Sequence, residues 1–478
     1  MSIISKEALL KVLTAYNPWW KTGSIHPRLA KAYKRNAYYD VMNRLTHTNL
    51  RRIIVLTGAR RVGKTTIMYQ TIESLLLQNI KPQRIVYISL DHPVLKLSSF
   101  QDVLDCYHEN VYPDQDVYYF LDEIQYAVSW DKWLKTLYDL RPECNVIATG
   151  SASPALVKGN QESGAGRWSL IQVPTLSFYE YCQLTKVEHG EISAGFRFED
   201  LLQINQSERQ EILQKLSGLQ VHLNRYLLVG GFPELALAEN DTWAQQLMRE
   251  DVVDKVLKRD LPALYNIRNV TELERIFIYL CNVSSEIVSI DTLSKELQGV
   301  SRPTVENYIR YLESANLIYL SWPVEMNGKK ILKARPKIYI ADAAIRNAVL
   351  MDEMILANAV EMGRVVETAV YKHVISSFQQ KAFAVGYFRS TSKQKEIDIV
   401  IEQKLRKNIL IEVKYRESAV LADDDAICEL IEEADYGIVV TKNSSDFGVH
   451  HTKSGKNLIR IPAYAFMFLL GFMEANQG

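Results

Sequence analysis

The run Gly58-Ala59-Arg60-Arg61-Val62-Gly63-Lys64-Thr65 spaces two glycines, a lysine and a hydroxyl in the pattern that cradles a nucleoside triphosphate. Gly58 and Gly63 permit backbone conformations and close approaches that a Cβ would block. Successive backbone N–H groups and the start of the following helix then face phosphate oxygens. Lys64 is expected to reach the β and γ oxygens, Thr65 to offer its hydroxyl to Mg2+, and Thr66 to close the loop. The expected ligands are ATP and Mg2+. A second group of chemical residues follows where Val117-Tyr118-Tyr119-Phe120-Leu121 ends in Asp122 and Glu123. Asp122 is expected to help hold Mg2+, and Glu123 to polarise the attacking water. Ser151, just after the run Asn145–Gly150, is expected to contact the γ-phosphate or that water, with Thr149 as the alternative. Charge that develops during phosphoryl transfer calls for an arginine. Arg167, on a glycine-rich approach, is the first candidate and Arg259 the second, while Arg60 and Arg61 lie in the loop itself.

Further along, Lys395-Glu396-Ile397-Asp398-Ile399 and Ile411-Glu412-Val413-Lys414-Tyr415 read as two alternating strands. Period-two alternation puts Glu396 and Asp398 on one face, and Glu412 and Lys414 on one face. Carboxylates from neighbouring strands, with a lysine, suit Mg2+ binding and activation of water for phosphodiester cleavage. Glu367, on an upstream helical stretch, adds a further carboxylate. A plain charged hairpin, and a nuclease fold kept only for binding, are the competing readings.

Between these two groups lies a helix-turn-helix pattern. Ser301 is a natural N-cap, Pro303 is tolerated in the first turn, and Val305, Ile309 and Leu312 share a face. Arg302, Thr304, Asn307 and Arg310 are candidate DNA contacts on the second helix. Lys329, Lys330, Lys333, Arg335 and Lys337 form a basic turn with no acid among them, expected to meet phosphates. The competing reading is a solvated hairpin on a packing module.

The elements that must position these residues follow from periodicity. Strand-length apolar runs at Ile53–Thr57, Arg84–Asp91, Val117–Asp122 and Asn145–Gly150 alternate with helical stretches, which predicts a parallel sheet with crossover helices. Asn17-Pro18-Trp19-Trp20 ends an early helix and offers two large anchors for the next domain. The expected division is an N-terminal helical segment (1–50), an α/β P-loop core (51–180), a helical lid or linker (181–270), a winged-helix-like domain (271–345) and a C-terminal α/β restriction-endonuclease-like domain (346–478). Asp342, closing a strand, is assigned a capping role.

Composition narrows the partners. Lys plus Arg and Asp plus Glu both number 56, so any nucleic-acid surface must be a local patch. Five scattered cysteines without a CxxC argue against a disulfide or zinc framework. The N-terminal residues lack a secretory pattern, and the apolar run Ala463–Met473 is about half of the ~20 residues a bilayer span needs. The expectation is a cytoplasmic protein without membrane contact, of open oligomeric state.

Taken together, Asn17–Trp20, Gly58–Thr66, Phe120–Gln125, Thr149–Ser151, Gly166-Arg167, Leu176–Tyr181 and Tyr226–Glu234 resemble the prokaryotic AAA-type ATPases that pair a P-loop domain with a C-terminal domain related to PD-(D/E)XK nucleases. The nuclease-like part of the resemblance rests on Glu367, Asp398, Glu412 and Lys414. It implies an ATP-hydrolysing core coupled to a DNA-binding winged helix and a nuclease-like domain. The alternative is a nucleotide-gated switch whose inert nuclease-like domain engages DNA or a protein partner.

Overall fold

Ile53–Thr57 (β1), Ile85–Ser89 (β2), Tyr118–Asp122 (β3) and Asn145–Gly150 (β4) are strands, and almost every side chain in them is buried. Strands buried on both faces belong in a parallel sheet covered by helices. In the computed structural model, which describes residues 4–47, 51–150, 166–297, 299–324, 335–351, 355–378, 381–390 and 395–476, that is what they form. With Trp168–Gln172 (β5) they make a five-stranded sheet of order β2-β3-β4-β1-β5, with every pairing parallel. β4 therefore lies between the strand that feeds the glycine loop and the strand that ends in the two acids. The register pairs Leu121 with Ala148 and Leu56 with Thr149, so Asp122, Thr149 and the loop after Thr57 gather at the carboxyl ends of the strands. Ligands of open α/β sheets bind at that end.

This sheet belongs to the first of two compact units, Met1–Pro174 and Thr175–Gln477. β2 is one edge of this sheet, and an uncovered edge would leave backbone groups unpaired. The tetrapeptide after the helix Lys6–Tyr16 covers it. The Asn17 side chain donates to Tyr87 O at 2.8 Å and accepts from Tyr87 N at 2.6 Å, imitating a further strand. The indoles of Trp19 and Trp20 both donate to Ile85 O, at 3.1 and 2.8 Å.

The second unit starts with helices, as the apolar spacing of 175–270 predicts, and a break at Gly230, φ 75°. The helices Val270–Asn282, Ile290–Glu296 and Arg302–Ser314 follow. The N-caps of the last two are Ser289 and Ser301, whose side chains accept from Thr292 N and Thr304 N. Glu286–Ile287 (β6), Ile318–Pro323 (β7), Lys337–Ile340 (β8), Ala384–Arg389 (β9), Glu396–Glu402 (β10), Asn408–Lys414 (β11), Ala434–Thr441 (β12), Gly448–His451 (β13) and Asn457–Pro462 (β14) form one nine-stranded sheet, of order β13-β14-β12-β11-β10-β9-β7-β8-β6. The hairpin of β7 and β8, assigned from sequence to a winged-helix-like domain, is thus continuous with the C-terminal strands, because β7 pairs parallel to β9 through Trp322 and Gly386. Asp342 does cap the helix Ala343–Leu350, accepting from Ala344 N, and its other oxygen accepts from Gly231 N at 3.0 Å.

The helix Ala359–Phe378 lies within this unit and buries His373. Phe178 N donates to His373 Nε2 at 2.8 Å and Nδ1 faces Ala369 O at 2.6 Å, so the ring is held neutral with its proton on Nδ1. The apolar helix Ala463–Ala475 is buried on all sides through Phe472, and no described helix is long and apolar enough to cross a membrane.

Two consequences can be measured. Asn17→Ala strips partners from both backbone groups of Tyr87 and should lower the stability of the first unit by about 2 kcal/mol in urea titrations read by Trp fluorescence. For His373, burial and then the Lys372 charge hold the ring's pKa well below its ordinary value. A depressed histidine contributes stability above the unfolded pKa of about 6.5 and loses it as pH falls. The stability advantage of wild type over His373→Gln should therefore shrink by about 1.4 kcal/mol per pH unit below that point.

Candidate functional site

β1 passes into the loop at Gly58, whose φ is 150° and where a Cβ would stand 2.2 Å from Val173 O. Gly63, φ 96°, is the N-cap residue of the helix Lys64–Leu77. The Lys64 ammonium is buried and donates to Gly58 O at 2.9 Å and Ala59 O at 2.8 Å, over the mouth of the loop. Arg60 is half-buried and Arg61 exposed, Arg61 with φ 61°. Arg35, which carries no motif signal in the sequence, donates to Val62 O at 2.8 Å and Pro174 O at 2.9 Å and so braces the loop from behind.

Asp122 is the centre of the arrangement, with 4% exposure. Thr65 Oγ1 donates to its Oδ2 at 2.9 Å and Tyr87 OH donates to the same oxygen at 2.6 Å. Thr149 Oγ1 donates to Oδ1 and accepts the Glu123 N–H at 3.0 Å. Burial, then the charge of Asp122, pushes the Tyr87 phenol up and keeps it a donor. Glu123 sits at φ 54°, ψ 49°, a left-handed conformation that costs a non-glycine residue about 1–3 kcal/mol. That turn directs its half-buried carboxylate off the strand line, where Gln125 Nε2 donates to it. A carboxylate beside the loop hydroxyl and a second carboxylate one residue on is an arrangement suited to a nucleotide-bound Mg2+ and a polarised water.

Ser151 lies outside the described residues; Thr149, its alternative, bonds to both the Asp122 carboxylate and the Glu123 N–H. One expectation for this site needs revision. Arg167 does not serve the loop within its own chain: its carbonyl accepts from Ile53 N at 2.9 Å, at the amino edge of the sheet. The five residues of β1, rising about 3.3 Å each, separate that edge from Gly58. Arg167 pairs there with Asp139 at 3.1 Å.

The second unit gathers the other carboxylates. Lys337 and Tyr339 share a face of β8, and Glu367 and Tyr371 share a face of the helix Ala359–Phe378. The rings of Tyr339 and Tyr371 stack with centroids 3.9 Å apart, and Tyr339 OH donates to Glu367 at 2.9 Å. The Lys337 ammonium, with 3% exposure, lies 2.7 Å from Glu367, 2.9 Å from Glu396 and 2.9 Å from Asp398. The free oxygen of Asp398 accepts from Val413 N at 2.9 Å. Burial alone would lower the Lys337 pKa, but Asp398, Glu367 and Glu396 outweigh it and hold the ammonium charged. Burial, then Asp398, pushes Glu367 up to about 7. The same two causes raise the Glu412 carboxyl, one oxygen of which has no hydrogen-bond partner among the described residues.

Glu367 and Asp398 therefore meet, together with Glu396, but around a lysine and not in the arrangement expected of metal ligands, and among the described residues no hydrogen bond or ion pair joins Glu412 to them. A tethered ammonium stands at the meeting point, with contacts of 2.7–2.9 Å. Oxygens around Mg2+ lie at roughly 2.0–2.1 Å and around Ca2+ at roughly 2.3–2.6 Å. Among the described residues no group of three or more His, Cys, Asp or Glu side chains is placed to hold a metal ion. Lys414, expected to assist water activation, instead pairs with Asp425 at 2.6 Å. The residues present do not fit a metal-dependent cleavage centre.

Residues 50–182 match the family model described as an AAA domain. They form an AAA-type P-loop ATPase domain. Beyond this AAA domain, residues 220–354 and 362–464 match two families described only as domains of unknown function, DUF8612 and DUF4143. Curated relatives include two uncharacterized proteins of Methanocaldococcus jannaschii. One is 24% identical, with 94% of this chain and 92% of the relative covered; the other is 25% identical, with 86% of each covered. An uncharacterized protein of Haemophilus influenzae is 23% identical over 62% of this chain and 68% of its own length. Solved structures with partial likeness include the Aeropyrum pernix Orc1 protein in complex with DNA, at 11% identity and TM-score 0.31, covering 69% of this chain and 97% of that one. AMPPCP-bound DnaA from Aquifex aeolicus follows at 16% identity and TM-score 0.25, covering 58% and 86%.

Outside the AAA domain, the candidate DNA contacts fall in four groups. Arg302, Asn307 and Arg310 are exposed on the helix Arg302–Ser314, with Arg302 paired to Asp291 and Glu306, both at 3.0 Å. Thr304 is half-buried and its hydroxyl bonds Ser301 at 2.8 Å, within the helix cap. Lys329 and Lys330 lie outside the described residues. Lys337, expected to face phosphates from the basic turn, is instead buried among carboxylates.

Thr149→Val removes the donor to Asp122 and the acceptor for Glu123 while keeping the side-chain shape. It is expected to lower kcat for ATP by about 100-fold with little change in KM, as misplacement of reacting groups does. Thr149→Ser should retain most of the rate, and steady-state hydrolysis assays of both variants decide.

Proposed function

We propose that the chain is a Mg2+-dependent ATP hydrolase that uses nucleotide state to control a nuclease-like second unit, which engages DNA or a protein without cutting. The single observation that carries the hydrolase part is Asp122, held by Thr65 on one side and Thr149 on the other, with Glu123 turned out beside it. Lys64 and the loop amides from Gly58 to Thr66 bind the phosphates. Thr65 and Asp122 would hold Mg2+, which would supply positive charge to offset that of the phosphates. Glu123 orients and polarises the attacking water, and Ser151 is retained as a candidate contact to the γ-phosphate. No arginine within the described first unit is assigned to the transition state. For the second unit, the antiparallel β10–β11 hairpin followed by parallel β12 supports a nuclease-like sheet, and Lys337 among its carboxylates favours the reading in which that sheet does not cleave. The exposed Arg302, Asn307 and Arg310 support a DNA-facing helix.

The test is ATP turnover by wild type, Lys64→Ala and Glu123→Gln, with and without DNA, at fixed low salt with Mg2+. Lys64→Ala is expected to lose nucleotide binding. Glu123→Gln should bind ATP but lose about 100-fold or more in kcat, the scale of a missing general base. Undiminished turnover in both variants would remove the assignment. A rate that responds to DNA supports a nucleic-acid partner, and a rate indifferent to DNA points the second unit toward a protein.

A further inference from the structure

We infer that Lys337 is the resident cation of the second unit's carboxylate cluster: its ammonium stands where a nuclease-type centre would hold a divalent ion, and removing it opens a divalent-cation site built from Glu367, Glu396 and Asp398. The inference rests on the nuclease-like reading of the second unit and stands whether or not the first unit hydrolyses ATP.

The cluster has the build of a metal site with one component exchanged. Three carboxylate oxygens converge on a single point from β10 and from the helix Ala359–Phe378. Two of the three carboxylates are oriented by an outer partner: Tyr339 OH holds Glu367, and Val413 N holds Asp398. Outer contacts of this kind fix the ligands of metal centres. The point of convergence is occupied by nitrogen at 2.7–2.9 Å, a hydrogen-bond spacing rather than a coordination spacing. The ammonium is tethered to β8 and so held at high effective concentration, and a free ion entering the site must displace it. Glu396 and Asp398 sit on the same face of β10 and cannot both turn away without breaking the strand's alternation. Without the ammonium, closely spaced hard oxygen donors remain uncompensated, the donor set that Mg2+ and Mn2+ prefer.

The experiment uses the nucleotide-free full chain and Mn2+ as the probe, followed by electron paramagnetic resonance and by thermal melting. Wild type is expected to melt at the same temperature in Mn2+ and in EDTA. Lys337→Met should melt lower than wild type in EDTA, recover on addition of Mn2+, and bind one more Mn2+ per chain than wild type. Lys337→Met with Asp398→Asn should lose both the extra ion and the recovery. A Lys337→Met protein that gains no ion overturns the inference. So does a wild-type Mn2+ site that Asp398→Asn abolishes, because the metal would then already share the cluster with the lysine. Should Lys337→Met fail to fold, Asp398→Asn and Glu367→Gln in the otherwise native chain decide the matter: Mn2+ binding equal to wild type in both upholds the inference, and a site lost in either overturns it. None of these readouts depends on ATP turnover.

Discussion

A buried carboxylate must be compensated, and the means of compensation differ between the two units in a way that decides their chemistry. Moving an ionised carboxylate out of water without partners costs far more than a fold can offset. In the first unit Asp122 is compensated by the hydroxyls of Thr65, Tyr87 and Thr149. Hydroxyls orient and solvate the charge but do not cancel it, so the site keeps an appetite for a cation. In the second unit Glu367, Glu396 and Asp398 are compensated by the Lys337 ammonium, which cancels a full charge at the point where they meet. The first carboxylate is solvated by hydroxyls, and the second group is met by an ammonium. The same residue types, at a strand end in one unit and on a helix and a strand in the other, thus support opposite expectations about metal.

Much of the first unit was legible because its signals are local. The strand Ile53–Thr57, the glycine loop and the helix from Lys64 are contiguous, and each is specified by neighbours a few residues away. The acids at Asp122 and Glu123 follow an apolar run that can only be a buried strand in such a sheet. What local reading missed are partners that the register supplies. Thr149 meets Asp122 because β4 lies beside β3, and Tyr87 meets it because β2 does. Strand order is a property of the whole sheet. Arg167 shows the same limit from the other side: its glycine-rich surroundings suggested a reaching arginine, but in a parallel strand the residue before the first pairing lies at the end away from the ligands.

In the second unit the pattern of types was readable and their company was not. Alternation correctly put Glu396 and Asp398 on one face of β10. Lys337, by contrast, stands at the end of a run of basic residues and carries every sequence mark of a solvated phosphate contact. Its burial follows from two tertiary facts, that β8 joins the nine-stranded sheet through β7 and that the Tyr339 face of β8 stacks on Tyr371. Once Tyr339 is fixed against the helix Ala359–Phe378, period two leaves Lys337 no other side on which to emerge.

That geometry also bears on what the two halves of the second unit can do separately. Lys337 and the β7–β8 hairpin belong to the stretch that follows the helix-turn-helix, whereas Glu367, Glu396 and Asp398 belong to the C-terminal stretch. The ion cluster therefore ties the two stretches together, in addition to the backbone pairing of β7 with β9. A buried ion network contributes less net stability than its short contacts suggest, because desolvation offsets most of the attraction, but breaking it from one side is costly. The cluster and the β7–β9 pairing are thus two separate contacts that join the helix-turn-helix stretch to the C-terminal strands.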